Sequence, residues 1–224
     1  MKNTILIMAI LLISTFYVRA QDANDPIDPS PTGALFNRAY GDEYSKTQFL
    51  ANLTIYDKWF FRLTVEEQFN YDSKNEFKGG NFMVSRLFNS KNEKHKYGFG
   101  VIASNFHNVG WAGGVNFVSV SKLLGGWKVI TLTTLQGGDE IFTMEFQPGL
   151  YKNLKHNWYL RSHPRMLFDF NNSDKNEVPV GFGFGKIFSA GTDGLTKINL
   201  LFEPQYDFYQ DTPMLYMGMK VLWN

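Results

Sequence analysis

The chain has 224 residues, 17% of them aromatic, no cysteine, and 22 lysines and arginines against 21 aspartates and glutamates. That near balance leaves no basic field to hold nucleic acid. Without cysteine there are no disulfides, no thiolate metal centres and no thiol for a lipid anchor at a leader cleavage point.

Residues 1–20 read as a secretory leader. Lys2 supplies a positive start, Ile5 to Phe16 an apolar run, and Val18-Arg19-Ala20 a small-residue cleavage site that leaves Gln21 first. The run is short for a membrane helix. Loss of Lys2 and Arg19 with the leader leaves 20 basic against 21 acidic side chains. Residues 21–47 contain Pro26, Pro29 and Pro31 among Asp22, Asp25 and Asp28. This stretch reads as an extended periplasmic lead-in, with one irregular strand near Ala34–Tyr40.

From residue 48 to residue 224 the chain reads as strands in close succession, at 48–56, 59–70, 79–88, 96–107, 113–123, 126–136, 140–152, 157–170, 177–188, 195–208 and 213–223. No helical periodicity stands out. Side chains alternate between two faces of a strand. In 60–70, Phe61, Leu63, Val65 and Phe69 oppose Arg62, Thr64, Glu66, Gln68 and Asn70, with Glu67 on the apolar side. In 141–150, Phe142, Met144, Phe146, Pro148 and Leu150 oppose Thr143, Glu145, Gln147 and Gly149. Residues 178–184 alternate Val178, Val180, Phe182 and Phe184 with Pro179, Gly181 and Gly183. Residues 113–123 and 126–136 choose no face.

An exported chain of such strands predicts an all-β fold: an antiparallel transmembrane β-barrel with lipid outside and a polar lumen. Eleven strands and the irregular one make about 12, an even number, with 10 as the alternative. The aromatic excess fits interfacial girdles, and a mean hydropathy of −0.25 fits faces that cancel. The polar faces nominate Arg62, Glu66, Glu145, Gln147, Arg161, His163, Arg165, Lys197, Asn199, Glu203 and Gln205 as lumen-lining residues.

Arg161 and Arg165 have two readings: an anion-favouring constriction, or ion pairs with Glu145, Glu203 or Glu66 that fill the lumen. Inward Gly181, Gly183 and Gly185 mean either close approach within a bent wall or room for a solute. Ser162 and His163 are adjacent and point to opposite faces, so they do not form a nucleophile–base pair. His95, His107, His156 and His163 show no metal-binding spacing, and no glycine-rich stretch has the form of a phosphate loop. No catalytic residue, metal or cofactor is predicted.

The segment from Glu140 onward resembles a family of bacterial outer-membrane barrels labelled neuromedin U-like, or putative outer-membrane transporters. The resemblance lies in Phe146-Gln147-Pro148, Asn157-Trp158-Tyr159-Leu160, Val178-Pro179-Val180-Gly181-Phe182-Gly183-Phe184-Gly185-Lys186-Ile187-Phe188 and Gln205-Tyr206, in that order. It covers roughly the last 85 residues. Family members tend to finish on an aromatic residue, whereas this chain ends Trp223-Asn224. The resemblance implies a passive transport role and transfers no site residues.

The expected function is passage of small solutes, or a closed structural barrel. The partners would be outer-membrane lipid and the barrel assembly machinery. The rival is a soluble lipocalin-like barrel binding an apolar ligand, with the apolar faces turned inward.

Overall fold

The computed structural model describes residues 30–91, 94–190 and 196–223. The leader, its cleavage site and residues 21–29 lie outside the described residues. Eight long strands come first: β1 (Thr32–Tyr40), β2 (Tyr44–Ile55), β3 (Trp59–Asn70), β4 (Glu76–Asn89), β5 (His95–Phe106), β6 (Gly110–Lys122), β7 (Trp127–Gly138) and β8 (Phe142–Asn153). Two broken strands follow, as β9 (Trp158–Ser162) with β10 (Met166–Asp169), and β11 (Pro179–Gly181) with β12 (Gly183–Ala190). The last two are β13 (Thr196–Asp207) and β14 (Thr212–Leu222).

Counting each broken strand once gives a ring of twelve antiparallel staves, closed where β1 pairs with β14. The wall begins earlier than the sequence suggests. The irregular strand expected near Ala34–Tyr40 is a regular stave, β1, which pairs on both sides, Thr32 with Asn52 and with Leu222, and β2 starts at Tyr44 rather than 48. Just before β1, the Pro31 carbonyl oxygen accepts from the Trp223 N–H at 3.0 Å.

Two features interrupt the ladder. Between β3 and β4, Glu66 faces Gly79 while Glu67 faces Phe77, so Lys78 is bulged out. Gly79 there has φ 128°, and a Cβ would lie 2.0 Å from the Asn105 carbonyl oxygen. The second feature is a seam between the broken strands. Arg161 pairs with Gly183, and Leu167 bridges to Glu177 in the same register. No pair forms between those rungs, where Pro164 and Pro179 lack N–H donors. Side chains take over: Glu203 Oε1 accepts from the His163 N–H at 3.0 Å, and Asp207 Oδ1 from the Val178 N–H at 3.0 Å.

The ring has a proximal end, where Thr32 meets Leu222, and a distal end opposite. Connections 56–58, 90–94, 123–126 and 154–157 are proximal; 41–43, 71–75, 107–109, 139–141, 170–178 and 208–211 are distal. The two polar stretches at 89–94 and 171–176 therefore lie at opposite ends, and the longest described connection, 170–178, is distal. Tyr56 and Asp57 both have positive φ, as a tight hairpin turn requires.

The apolar rows face out. Leu35, Phe49, Leu63, Phe82, Phe99, Val101, Val115, Phe142, Phe184 and Phe202 are all exposed. Outward rings gather toward both ends. Trp59, Phe88, Tyr97, Trp158 and Phe188 lie proximally, and Phe77, Trp111, Phe170 and Phe208 distally. Three proximal tryptophans each carry a cross-strand cation: Arg86 over Trp59 at 5.1 Å, Lys186 over Trp158 at 4.8 Å and Lys152 over Trp127 at 5.3 Å.

The interior is not polar throughout. Its proximal half is a packed cluster that includes Phe36, Leu50, Phe60, Met83, Leu87, Ile102, Val118, Val120, Ile130 and Leu132. That is why residues 113–123 and 126–136 choose no face. There the inward side is a dry core, while the outward side mixes Val115, Phe117, Val129 and Leu135 with Ser119, Ser121, Thr131 and Thr133, so polarity does not tell the faces apart.

Candidate functional site

The distal half of the interior is an open vestibule of about 560 Å³. β2, β3, β4, β5, β8 and β10 supply its wall, and the 170–178 connection overhangs it with Asp174, Lys175 and Glu177. The vestibule carries Glu66, Glu76, Glu140, Glu145, Asp169, Asp174 and Glu177 against Lys46, Lys78, Arg165 and Lys175. Its field is therefore negative. The guanidinium among these groups, that of Arg165, is clamped by two carboxylates and adds no free positive charge to the vestibule.

That clamp forms the floor. Arg165 donates from Nη1 to Glu66 Oε2 at 2.5 Å and from Nη2 to Glu145 Oε2 at 2.7 Å. Glu145 is on the adjacent stave, whereas Glu66, on the third stave, stands half a turn of the ring from Arg165 on the ninth. The contact thus spans the lumen. Beside it, Lys46 pairs with Glu177, whose other oxygen accepts from the Tyr40 hydroxyl at 2.9 Å. Gln147 donates to Glu145.

Below the floor lies a small cavity of about 50 Å³, with Arg38, Gln48, Arg62, Gln147, Arg161, His163, Tyr216 and Lys220 in its wall. A buried layer closes in next to it. Arg161 Nε donates to Glu203 Oε2 at 2.6 Å, with both side chains almost fully excluded from solvent. Tyr159 donates to Asn199 at 2.8 Å, and Gln205 to Glu203 at 2.8 Å. Arg161 and Arg38 both lie over the ring of Tyr216, at 5.1 and 4.8 Å. The ion pairs read from sequence are therefore present: the arginines meet Glu66, Glu145 and Glu203 and fill the lumen.

The glycines explain how these pairs reach each other. Arg161 and Glu203 are two staves apart with Gly183 between them, and a Cβ there would sit 2.7 Å from the Glu203 Cβ. Tyr159 lies over Gly185, whose Cβ would fall 2.2 Å from the ring, and reaches Asn199 beyond it. The same device recurs at Gly100, which lets Ser85 meet Asn116 at 2.5 Å. The glycine faces therefore make room for side chains of this chain, in place of a solute.

Each nominated residue has a defined position. Glu66, Glu145 and Arg165 form the floor, and Arg62, Gln147, Arg161 and His163 line the small cavity. Asn199, Glu203 and Gln205 are buried beside it. Lys197 stands at the proximal end, in register with Leu222. Sequence reasoning missed Arg38, Tyr40 and Lys46, which lay in the supposed lead-in, and Gln48 and Glu177, which began the expected strands 48–56 and 177–188. The alternation of Phe36, Arg38 and Tyr40 against Leu35, Asn37 and Ala39 was the available signal. Ser162 is in register with outward Leu150, while His163 Nδ1 lies 2.6 Å from the Tyr151 hydroxyl inside, so the two do not cooperate.

No protein-family model matches the chain, and no curated protein does. Among solved structures, a KdgM porin superposes with a TM-score of 0.60 at 7% identity, covering 86% of this chain and 99% of the porin. A KdgM porin in complex with disordered oligogalacturonate gives 0.57 at 6% identity, over 86% and 98%. A structure from a study of the in-meso crystallization of membrane proteins gives 0.53 at 11% identity, over 86% and 83%. At these identities the likeness is one of fold: the chain shares the closed antiparallel barrel of porins.

Proposed function

We propose that this chain is an outer-membrane barrel that admits small hydrophilic solutes to a distal vestibule, with passage controlled at the Arg165–Glu66–Glu145 floor. The observation that carries this reading is the sidedness of the wall. Phe142, Phe184 and Phe202 are 45%, 47% and 38% exposed, while Glu203 and Asn199 are wholly buried inside. A lipocalin-like barrel needs the reverse. A closed ring also satisfies its backbone groups without water, as hydrocarbon demands. The porin likeness supports the channel, and the oligogalacturonate complex of one neighbour supports a solute of modest size.

The distal end faces outward from the cell, because longer connections are extracellular in such barrels and 170–178 is distal. The leader would be cleaved after Ala20. The resemblance to neuromedin U-like barrels belongs to the same proposal, resting on the Gln147-Pro148 and 179–188 motifs.

Cell fractionation and planar-bilayer recording test the reading. The protein is expected in the outer-membrane fraction, with a small conductance that rises in Arg165→Ala as the floor opens. Recovery in the detergent-free soluble fraction, or bilayers that stay silent for both proteins, would overturn it.

A further inference from the structure

The small cavity below the floor has an unusual charge composition. Arg38, Arg62 and Arg161 line it together with Lys220, whose ammonium is over the Phe36 ring at 5.9 Å, and no carboxylate is among its described lining residues. The nearby acids are committed elsewhere. Glu66 and Glu145 both hold Arg165, and Glu203 holds Arg161. Four guanidinium groups thus share three carboxylates, and neither Arg38 nor Arg62 forms an ion pair among the described residues. Arg38 is only 5% exposed. Uncompensated charge away from water is costly, and a buried cation recruits a counter-charge.

Two further buried atoms face the same cavity. Arg161 Nη2 and His163 Nε2 are buried without a hydrogen-bond partner, and both residues line this cavity. An orphaned guanidinium N–H in a side chain 1% exposed is a donor with nothing to receive it. The volume sets the size of what can. A cavity needs roughly 10–15 Å³ of this measure per water, so about 50 Å³ admits roughly three or four water-sized bodies. That accommodates a halide with part of its hydration shell and excludes a sugar acid or a peptide.

We propose that this cavity is a binding site for a small inorganic anion of halide size, held by the guanidinium groups of Arg38, Arg62 and Arg161. The anion neutralises the excess positive charge in mid-lumen and ties staves one, three and nine together. The site is independent of solute passage, since a lumen that conducts nothing would still need the counter-charge.

Bromide is the probe. The refolded full chain is crystallised and soaked in bromide, and anomalous scattering is mapped. In parallel, the urea unfolding midpoint is followed as bromide replaces gluconate at constant ionic strength. The expected result is a bromide peak enclosed by Arg38, Arg62 and Arg161, with a midpoint that rises and saturates. Arg62→Gln, chosen because it breaks no ion pair, is expected to weaken half-saturation by about tenfold, the effect of one charge-assisted hydrogen bond. Arg38→Gln serves should that variant fail to fold. A folded wild-type barrel with no anomalous peak in the cavity overturns the proposal. So does a midpoint identical in bromide and gluconate.

Discussion

Removal of the Glu203 carboxylate is the sharpest test of how the lumen is filled. Glu203 and Arg161 are 0% and 1% exposed and meet at 2.6 Å. Loss of one partner leaves an uncompensated buried charge, which costs about 3–5 kcal/mol. Glu203 also accepts from the His163 backbone and from Gln205. Glu203→Leu should therefore fall at the upper end of that range. Glu203→Gln retains an acceptor oxygen and should fall at the lower end. The double variant Arg161→Met with Glu203→Leu removes both charges and leaves chiefly the orphaned His163 N–H, a loss of about 1–3 kcal/mol. The double variant should thus be more stable than either single one. The assay is urea unfolding from lipid vesicles, followed by tryptophan fluorescence and extrapolated linearly. A double variant that loses the sum of the two single losses would show that the pair is not coupled, and would refute this account.

Three further outcomes follow from the same geometry. Val101→Arg, at an outward position 63% exposed, should cost about 2–4 kcal/mol in vesicles if that face meets hydrocarbon near the bilayer midplane; an unchanged urea midpoint would argue against lipid there. Gly185→Ala should destabilise by about 1–3 kcal/mol, since its Cβ would fall 2.2 Å from the Tyr159 ring, and companion Tyr159→Leu should relieve part of that loss; unfolding midpoints of the two variants and their combination decide it. The acidic vestibule should make any conductance cation-preferring. Neutralising Glu140, Asp169 and Asp174 together should move the reversal potential in a salt gradient toward zero, and a wild-type preference for anions would contradict the charge distribution.

Much of the fold is legible in the sequence because lipid enforces a rule. Where one face meets hydrocarbon and the other a polar lumen, as in 60–70 and 141–150, the alternation names both the strand and its orientation. The rule is silent where the inside is also dry, as with Val118, Val120, Ile130 and Leu132. It was under-read at residues 32–47, where beside three prolines only one irregular strand near Ala34–Tyr40 was expected and the start of β2 was missed, so that Arg38 and Lys46 were passed over. The site is less legible than the wall. That Arg165 would meet a glutamate was readable from the inventory of charges. That its partners would be Glu66, half a ring away, and Glu145, next door, depends on ring closure at twelve staves. Glu177 shares the inward parity of Pro179, Gly181 and Gly183, but it opens the strand beside a polar loop, and its reach to Lys46 and Tyr40 depends on the ring.

The seam between the broken strands ties the stopper to the cask. At Pro164 the wall loses its main-chain rungs, and the carboxylate that grips Arg161 also receives the His163 amide. Withdrawing that residue would leave a bare peptide group next to hydrocarbon, so evolution cannot enlarge the bore at this depth without causing a leak in the side. Any gate in this molecule has to work higher up, where the carboxylates that hold Arg165 stand on the unbroken strands β3 and β8.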